Sequence, residues 1–547
     1  MRKFISFSKA GYFGIVVSVT LIFIGCLWWS SNRSFSLSHE SGFYNQPFEL
    51  RIRKPIGARV FYTMDGSNPT VDSTEYVGPI LIDDASNNPN FYANIKEVVP
   101  EYDNEDEFLE KYEIPSKPID KCNVVRAICV DEKGEIIGKS NASYFVGYDT
   151  KDGYDGMWIC SIVSDPHNFF DPITGIMVCG ETMEKDENGQ YRNANYSQMG
   201  LEWERKAFVQ FFNPERKNVL NQECGVRIHG NVSRKNISKS FSLYSREEYD
   251  GNDKFLCDFW GEGYYPDKMM LLSGGQDEVS LVRDKMVSDL TRDFAYSSYH
   301  YVPCILFIDG EYWGIHFLTE KFDAEYFNHY FGTNKEDILV LKDFMSSPEW
   351  ALSEGAFDIE SDKKKWDDFA VCISGQEEMG LSQKLFENTF DFDSFLDYFA
   401  TELYIARNGD WPPLNMSYWS SRGYGAKPND GKWRFLLYDV YYDSMTSPEH
   451  DTIGYAREVF EPLNYELNNE KFYNELTTRF KEMGDTVFSE KSIGTYLDEY
   501  SELMRAPVIK HYQRFYGNKR SVDDFDAAIA NIKDFFIKRK NFLHEYY

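Results

Sequence analysis

Three oxygen-bearing side chains stand at a spacing that could do chemistry. Asp410 lies in the stretch Asn408-Gly409-Asp410-Trp411-Pro412-Pro413-Leu414-Asn415, Asn415 closes it, and Asp439 ends the run Lys432-Trp433-Arg434-Phe435-Leu436-Leu437-Tyr438. A carboxylate five residues before an amide, then a hairpin, then a second carboxylate at a strand end, supplies what phosphoryl transfer requires. One Asp can accept a hydroxyl proton, while an Asn and an Asp offer hard oxygen ligands to a divalent cation. The cation offsets the charge of a triphosphate; Asn contributes oxygen without charge, and Asp adds neutralising charge. The plainer reading of Asp410 is a turn cap before Pro412 and Pro413.

Other residues stand upstream in a compatible order. Gly225-Val226-Arg227-Ile228-His229-Gly230-Asn231-Val232-Ser233-Arg234 reads as a small-residue turn between strands, and Lys239 opens the next strand. Gly230 and Ser233 could present backbone N–H groups to phosphate, with Lys239 as a point charge. Glu320, followed by Lys321, ends a later strand and could orient a cation. Loop, Lys, Glu, Asp-x4-Asn, Asp is also the order of parts in protein kinases. Arg227 and Arg234 suit phosphate or a carboxylate partner equally. Arg283-Asp284 could be a helix-surface pair, and His229 a satisfied strand-end histidine.

The elements that must position these residues are mixed α and β. Strands are expected at 159–164, 207–212, 225–229, 240–244, 304–308, 312–318, 416–420 and 432–438, with Asp309-Gly310 as a hairpin turn. A helix is expected over 279–294. Residues 348–408 and the tail 461–547 read as mostly helical. Before Trp158 the pattern is all β. Short strands at 48–52, 58–63, 77–82, 124–130, 135–137 and 143–146 are broken by the turn Met64-Asp65-Gly66-Ser67-Asn68-Pro69 and by an acidic insertion over 83–121, which predicts a sandwich. Asp65 and Asn68 read as turn chemistry, and Glu101–Glu110 as a solvated loop.

Two resemblances attach to these motifs. "GVRIHGNVSRKNISKSFSLYSR" (225–246), "SLVRDKM" (280–286), "FIDGEYWGIHFLTEKFD" (307–323), "NGDWPPLNMSYW" (408–419) and "KWRFLLYD" (432–439) resemble, in order, the signature of the spore-coat protein H (CotH) family. "GLEWER" (200–205) and "GIMVCG" (175–180) match its longer members. The resemblance covers about 155–450, with 451–547 as a helical extension. It implies an atypical kinase that binds ATP with Mg²⁺ or Mn²⁺ and phosphorylates Ser or Thr of partner proteins. Asp410 would be the catalytic Asp, and Asn415 and Asp439 the metal ligands. Lys239, Gly230, Ser233, Arg234, Arg227, Glu320, Lys321 and Arg283 would be nucleotide contacts. The chain departs from the family pattern at Leu414, where the family often has a second Asn. It departs again at Tyr441, where Asp-x-Asp is common; Asp443 is out of register. Residues 36–148, through Arg59–Thr70, Tyr76–Ile80 and Val125–Ala127, resemble the chitobiase/β-hexosaminidase C-terminal type, an immunoglobulin-like or fibronectin-like sandwich that implies a spacer with possible glycan contact.

At the N-terminus, residues 10–31 carry no charge. At ~1.5 Å per residue they would make roughly 33 Å of helix, enough to span a membrane. Arg2, Lys3 and Lys9 predict a cytoplasmic 1–9 and an exported body. A cleaved signal peptide and a lipoprotein at Cys26 are alternatives. The expected class is therefore multidomain: a transmembrane helix, an all-β immunoglobulin-like sandwich, and an α+β atypical protein-kinase-like domain with a helical C-terminal subdomain. A net charge of −30 argues against nucleic-acid binding. The 38 Tyr and 43 Phe argue for packed domains. The eight cysteines of the body lack CxxC spacing and read mainly as buried thiols. The functional expectations are a membrane-tethered kinase-like phosphotransferase, a surface or assembly protein that keeps the fold without catalysis, or a glycan-associated envelope protein.

Overall fold

A computed structural model describes residues 34–98, 111–187, 191–342, 352–355, 360–375, 380–409, 411–412, 414–423 and 425–547. The anchor expected at 10–31, Cys26 and the loop at 101–110 lie outside the described residues. Among those described, no helix is long and apolar enough to cross a membrane. All eight cysteines of the body are buried free thiols.

The N-terminal domain is a sandwich. One sheet runs Gly42–Tyr44, Ile136–Val146, Asn123–Val130, Arg59–Thr63, Thr74–Glu75, and the ribbons Phe48–Leu50/Ile80–Ile82 and Ser36–Leu37/Ile52–Arg53 complete it. Its core, Leu50, Val60, Ile82, Val125, Cys129 and Tyr144, comes from the alternating apolar positions. The two short strands expected at 135–137 and 143–146 are one strand. Lys139 to Ala142 keep the ladder against Ile128 to Val125, and their polar side chains conceal this in the sequence. The 64–69 turn has two jobs. Asp65 Oδ1 accepts the Ser67 N–H (3.0 Å), as turn chemistry requires. Asn68, however, donates its backbone N–H (3.1 Å) and Nδ2 (3.0 Å) to Asp165 Oδ2 of the next domain. Part of the acidic insertion docks as well: Tyr92 and Val98 are buried, and the Glu311 carboxylate accepts the Phe91 and Ala93 N–H groups, each at 2.7 Å.

The second domain begins with a closed seven-stranded barrel, a closure that strand spacing alone does not predict. Its order is Trp158–Val163, Arg205–Phe212, Asn218–His229, Ser240–Tyr244, Lys268–Leu272, Glu311–Glu320, Val302–Ile308. Every pairing is antiparallel except the closing one, where Trp158–Val163 runs parallel to Val302–Ile308. Ile162, Val209, Phe211, Phe241, Leu243 and Leu306 fill it. A five-stranded mixed sheet follows: Ser297–Ser298, Arg434–Leu437, Ser417–Ser421, Ile338–Lys342, Leu352–Glu354. Helices Glu360–Ser374, Gln383–Thr389 and Phe392–Tyr404 accompany it.

The helix expected over 279–294 is shorter, Arg283–Leu290. The Asp277 carboxylate takes the Ser280 hydroxyl and the Val282 (2.9 Å) and Arg283 (3.1 Å) N–H groups, so a side-chain turn replaces the first helical turn. The tail forms helices Glu461–Leu467, Glu470–Asp485, Glu490–Phe515 and Val522–Tyr546. Helix Glu490–Phe515 seats on the barrel at Gly314 (φ +93°), where a Cβ would lie 2.6 Å from the Phe515 ring and 2.9 Å from His511 Nδ1. One continuous core joins sandwich, barrel and tail through Val124, Phe145, Phe307, Phe435, Phe515 and Phe536.

Candidate active site

Strand pairing puts the central residues at one end of the mixed sheet. Ser417 pairs with both Lys342 and Leu436, and Leu437 pairs with Ser298. Asn415, just before one strand, and Asp439, just after its antiparallel neighbour, therefore emerge together with Lys342 and Tyr299. Asn415 (φ +55°) and Asp439 (φ +51°) are both left-handed, a conformation that Asn and Asp tolerate better than most residues. Asp410 lies outside the described residues. Its neighbours are firmly held: Trp411 is buried, its Nε1 donates to the Tyr398 hydroxyl (3.1 Å), and its carbonyl accepts the Tyr455 hydroxyl (3.2 Å). A Cβ on Gly409 would lie 2.6 Å from Asp443 Oδ2, which places the out-of-register Asp443 beside that loop.

Behind Asp439 stands Asp284, from the helix Arg283–Leu290. Asp284 Oδ1 accepts the Val440 N–H at 2.7 Å, and Oδ2 faces the Tyr301 hydroxyl at 3.4 Å. Burial, then the adjacent Asp439 carboxylate, pushes the Asp284 carboxyl well above the usual carboxylate range. The Tyr299 and Tyr301 hydroxyls are driven far up, by burial first and then by these acids. Two carboxylates held together in a setting this dry favour a shared cation or a proton.

Opposite charge comes from the barrel rim and from Lys342 at the end of the mixed sheet. His229 shares a 2.9 Å hydrogen bond between Nδ1 and the Ser242 hydroxyl. Burial, then Lys342, Lys321 and Arg234, lower its pKa to about 3, so it is neutral. Those cations thus gather around His229, and Lys342 also stands 5.7 Å over the Tyr438 ring, next to Asp439. Lys321 stands 5.9 Å over Tyr244.

The remaining expected contacts have partners within the protein. The buried Lys239 ammonium donates to the Arg234 (2.7 Å) and Asn236 (3.0 Å) carbonyls. Burial lowers its pKa to about 7. Arg234 donates to the Gly230 (2.5 Å) and Gln198 (2.9 Å) carbonyls. Ser233 folds over Gly230 (φ +100°), leaving no room for a Cβ there. Arg227 pairs with Glu204 at 2.6 Å, alongside Arg246 at 2.7 Å. Glu320 is fully buried; it accepts the His300 N–H (2.9 Å), meets His300 Nδ1, and accepts the Tyr330 hydroxyl (3.3 Å). Arg283 donates to Asp277 (3.1 Å) and locks the preceding turn. Tyr441 lays its hydroxyl over Gly275, where a Cβ could not fit. Sequence reasoning passed over Asp284 as a site residue, although it stands inside the "SLVRDKM" motif. It missed Lys342, for which the sequence carries no signal.

Among the described residues no three His, Cys, Asp or Glu side chains converge as a metal cluster. A search of curated proteins returns no match to the chain. Residues 39–94 match the chitobiase/beta-hexosaminidase C-terminal domain, in agreement with the sandwich. Residues 226–543, from the middle of the barrel through the last helix, match the CotH kinase protein family. That match covers more than half of the chain and includes the sheet end carrying Asn415 and Asp439, so the chain belongs to the CotH kinase protein family.

Proposed function

We propose that the chain is a kinase-like phosphotransferase that moves a phosphoryl group from ATP to a Ser or Thr hydroxyl of an envelope or surface protein. The observation that carries this reading is the meeting, at one sheet end, of Asn415 and Asp439 with Asp284 behind them and Lys342 and Lys321 near the facing rim. Hard oxygens beside basic groups suit a cation–polyphosphate pair. Asp439 and Asn415 would hold Mg²⁺ or Mn²⁺, and the donor set fits, being oxygen only with one charge and one neutral amide. When bound, the cation offsets phosphate charge. Lys342 and Lys321 would attract the phosphates as point charges. Asp284 would orient the Asp439–Val440 backbone through its hydrogen bond to Val440. Asp410 would accept the substrate hydroxyl proton. Anchoring by residues 10–31, with the body outside the cytoplasm, belongs to the same proposal and rests on the sequence alone; so does any glycan contact by the sandwich.

The purified protein without residues 1–33, incubated with labelled ATP and Mg²⁺ or Mn²⁺ beside Asp410→Ala and Asp439→Ala, tests this. Transfer to itself or to a model protein, lost in both variants, is the expected result. No transfer, and no metal-dependent stabilisation by ATP, would sink the reading. The second reading, a scaffold without catalysis, draws on Tyr441, which replaces a carboxylate and covers Gly275.

A further inference from the structure

A polar cavity of about 300 Å³ lies far along the chain from the sheet-end residues, between the segment 113–120, the start of strand Glu311–Glu320 and the end of helix Glu490–Phe515. Arg514 lines it. This residue is 2% exposed, yet among the described residues it makes no hydrogen bond or ion pair, and its Nε and Nη1 are without acceptors. Its guanidinium stacks on Trp313 (4.6 Å) and Phe515 (4.7 Å). Those ring contacts supply no hydrogen-bond acceptor to its N–H donors. The Tyr312 hydroxyl, buried in the same lining, also has no partner among the described residues.

Among the described residues no acid hydrogen-bonds Arg514: Glu311 is near enough to offset part of its charge, but its carboxylate accepts the Phe91 and Ala93 N–H groups. Asp120 is taken by Lys510 (2.7 Å) and by the Tyr154 hydroxyl (2.7 Å). Glu113 accepts the Asn518 N–H at 3.2 Å. Lys117 adds a further cation to the lining. A buried cation with open donors is costly unless an acceptor meets it, and the space offered is of the size of a small-ligand pocket.

We infer that this cavity binds a small oxyanion, a phosphate or carboxylate group, between the Arg514 guanidinium and the Tyr312 hydroxyl. Such a ligand would pin the sandwich-side segment, the barrel and the tail helix together.

The test titrates the full chain with sodium phosphate, and separately with sodium acetate, against sodium chloride at matched ionic strength, and follows the melting temperature. The expected result is a saturable rise with phosphate or acetate that chloride does not reproduce; which anion acts identifies the group. Arg514→Met should abolish the rise. Tyr312→Phe, which removes one hydroxyl and keeps the ring, should weaken apparent affinity roughly tenfold, and it decides the matter if Arg514→Met fails to fold. Asp439→Ala should leave the rise intact, which separates this cavity from the proposed nucleotide site. No rise beyond chloride, an unchanged response in Tyr312→Phe, or a response lost in Asp439→Ala would overturn the inference.

Discussion

Glu204 gives the sharpest test of why the family motifs exist. Its side chain is 1% exposed. It accepts Arg246 through Nε (2.7 Å) and Nη2 (2.9 Å), the Tyr249 hydroxyl (2.8 Å) and Arg227 (2.6 Å). Four donors match the four acceptor sites of a carboxylate. Gly225 leaves the space, since a Cβ there would collide with this carboxylate. Arg227 and Arg246 also lie over the Tyr244 ring, at 4.5 and 5.1 Å. Glu204→Gln keeps the shape but turns an NH₂ toward the guanidinium groups and removes the charge that offsets them. Breaking one side of a buried pair costs ~3–5 kcal/mol. Both arginines retain some water, so about 3 kcal/mol is expected here. Burial opposes ionisation of Glu204, but the hydrogen bonds from Arg246, Tyr249 and Arg227 outweigh it and hold the carboxyl below the usual range. A depressed acid stabilises above its unfolded pKa and loses that stabilisation as pH falls through the folded one. The gap between wild type and Glu204→Gln should therefore be full at pH 7 and close in acid. Urea unfolding followed by barrel tryptophan fluorescence reads it. In a double-mutant cycle with Arg227→Met, the pair should be less than additive by roughly 1–2 kcal/mol. A Glu204→Gln cost within about 0.5 kcal/mol, or an Arg227→Met variant of unchanged stability that loses nucleotide binding, would refute the structural role and return Arg227 to the phosphates.

Three further outcomes are expected. Asp284→Asn keeps an acceptor for the Val440 N–H and removes a charge beside Asp439; it should not lower thermal stability, yet should weaken metal-dependent nucleotide binding at least about tenfold, as read by thermal shift. Glu466 is fully buried, and burial, then Glu387, raises its pKa to about 7. The folded state thus holds a proton that the unfolded chain releases above about 4.5, and stability falls as pH rises across that window. Glu466→Gln should be more stable by ~2–3 kcal/mol at pH 8 and unchanged at pH 4, by denaturant titration. Gly314→Ala places a methyl at a left-handed position within 2.9 Å of His511 and the Phe515 ring. It should cost about 2 kcal/mol or more, and proteolysis should release the tail first.

Sequence alone determined the two family modules and most strand and helix positions, and it singled out Asn415 and Asp439 as candidates. These are local properties: alternation, helical spacing, turn residues, and motifs whose glycines and acids stand close together along the chain. It also read Arg227 as a possible carboxylate partner, which is what Glu204 makes of it. What it could not supply was the company each side chain keeps at long range. Lys239 and Arg234 stand in a loop that suits phosphate, and the structure adds carbonyl acceptors for them in that turn and, for Arg234, at Gln198. Glu320 looks like a cation partner until His300 and Tyr330 fold against it. Asp284 meets Asp439 across 155 residues of chain, and only the pairing of Ser298 with Leu437 explains why. Barrel closure is of the same kind, because a parallel contact between Trp158–Val163 and Val302–Ile308 leaves no mark in either strand. Tertiary structure decided which charges face one another, since electrostatic pairing depends on distance in space and hydrophobic periodicity only on position along the chain.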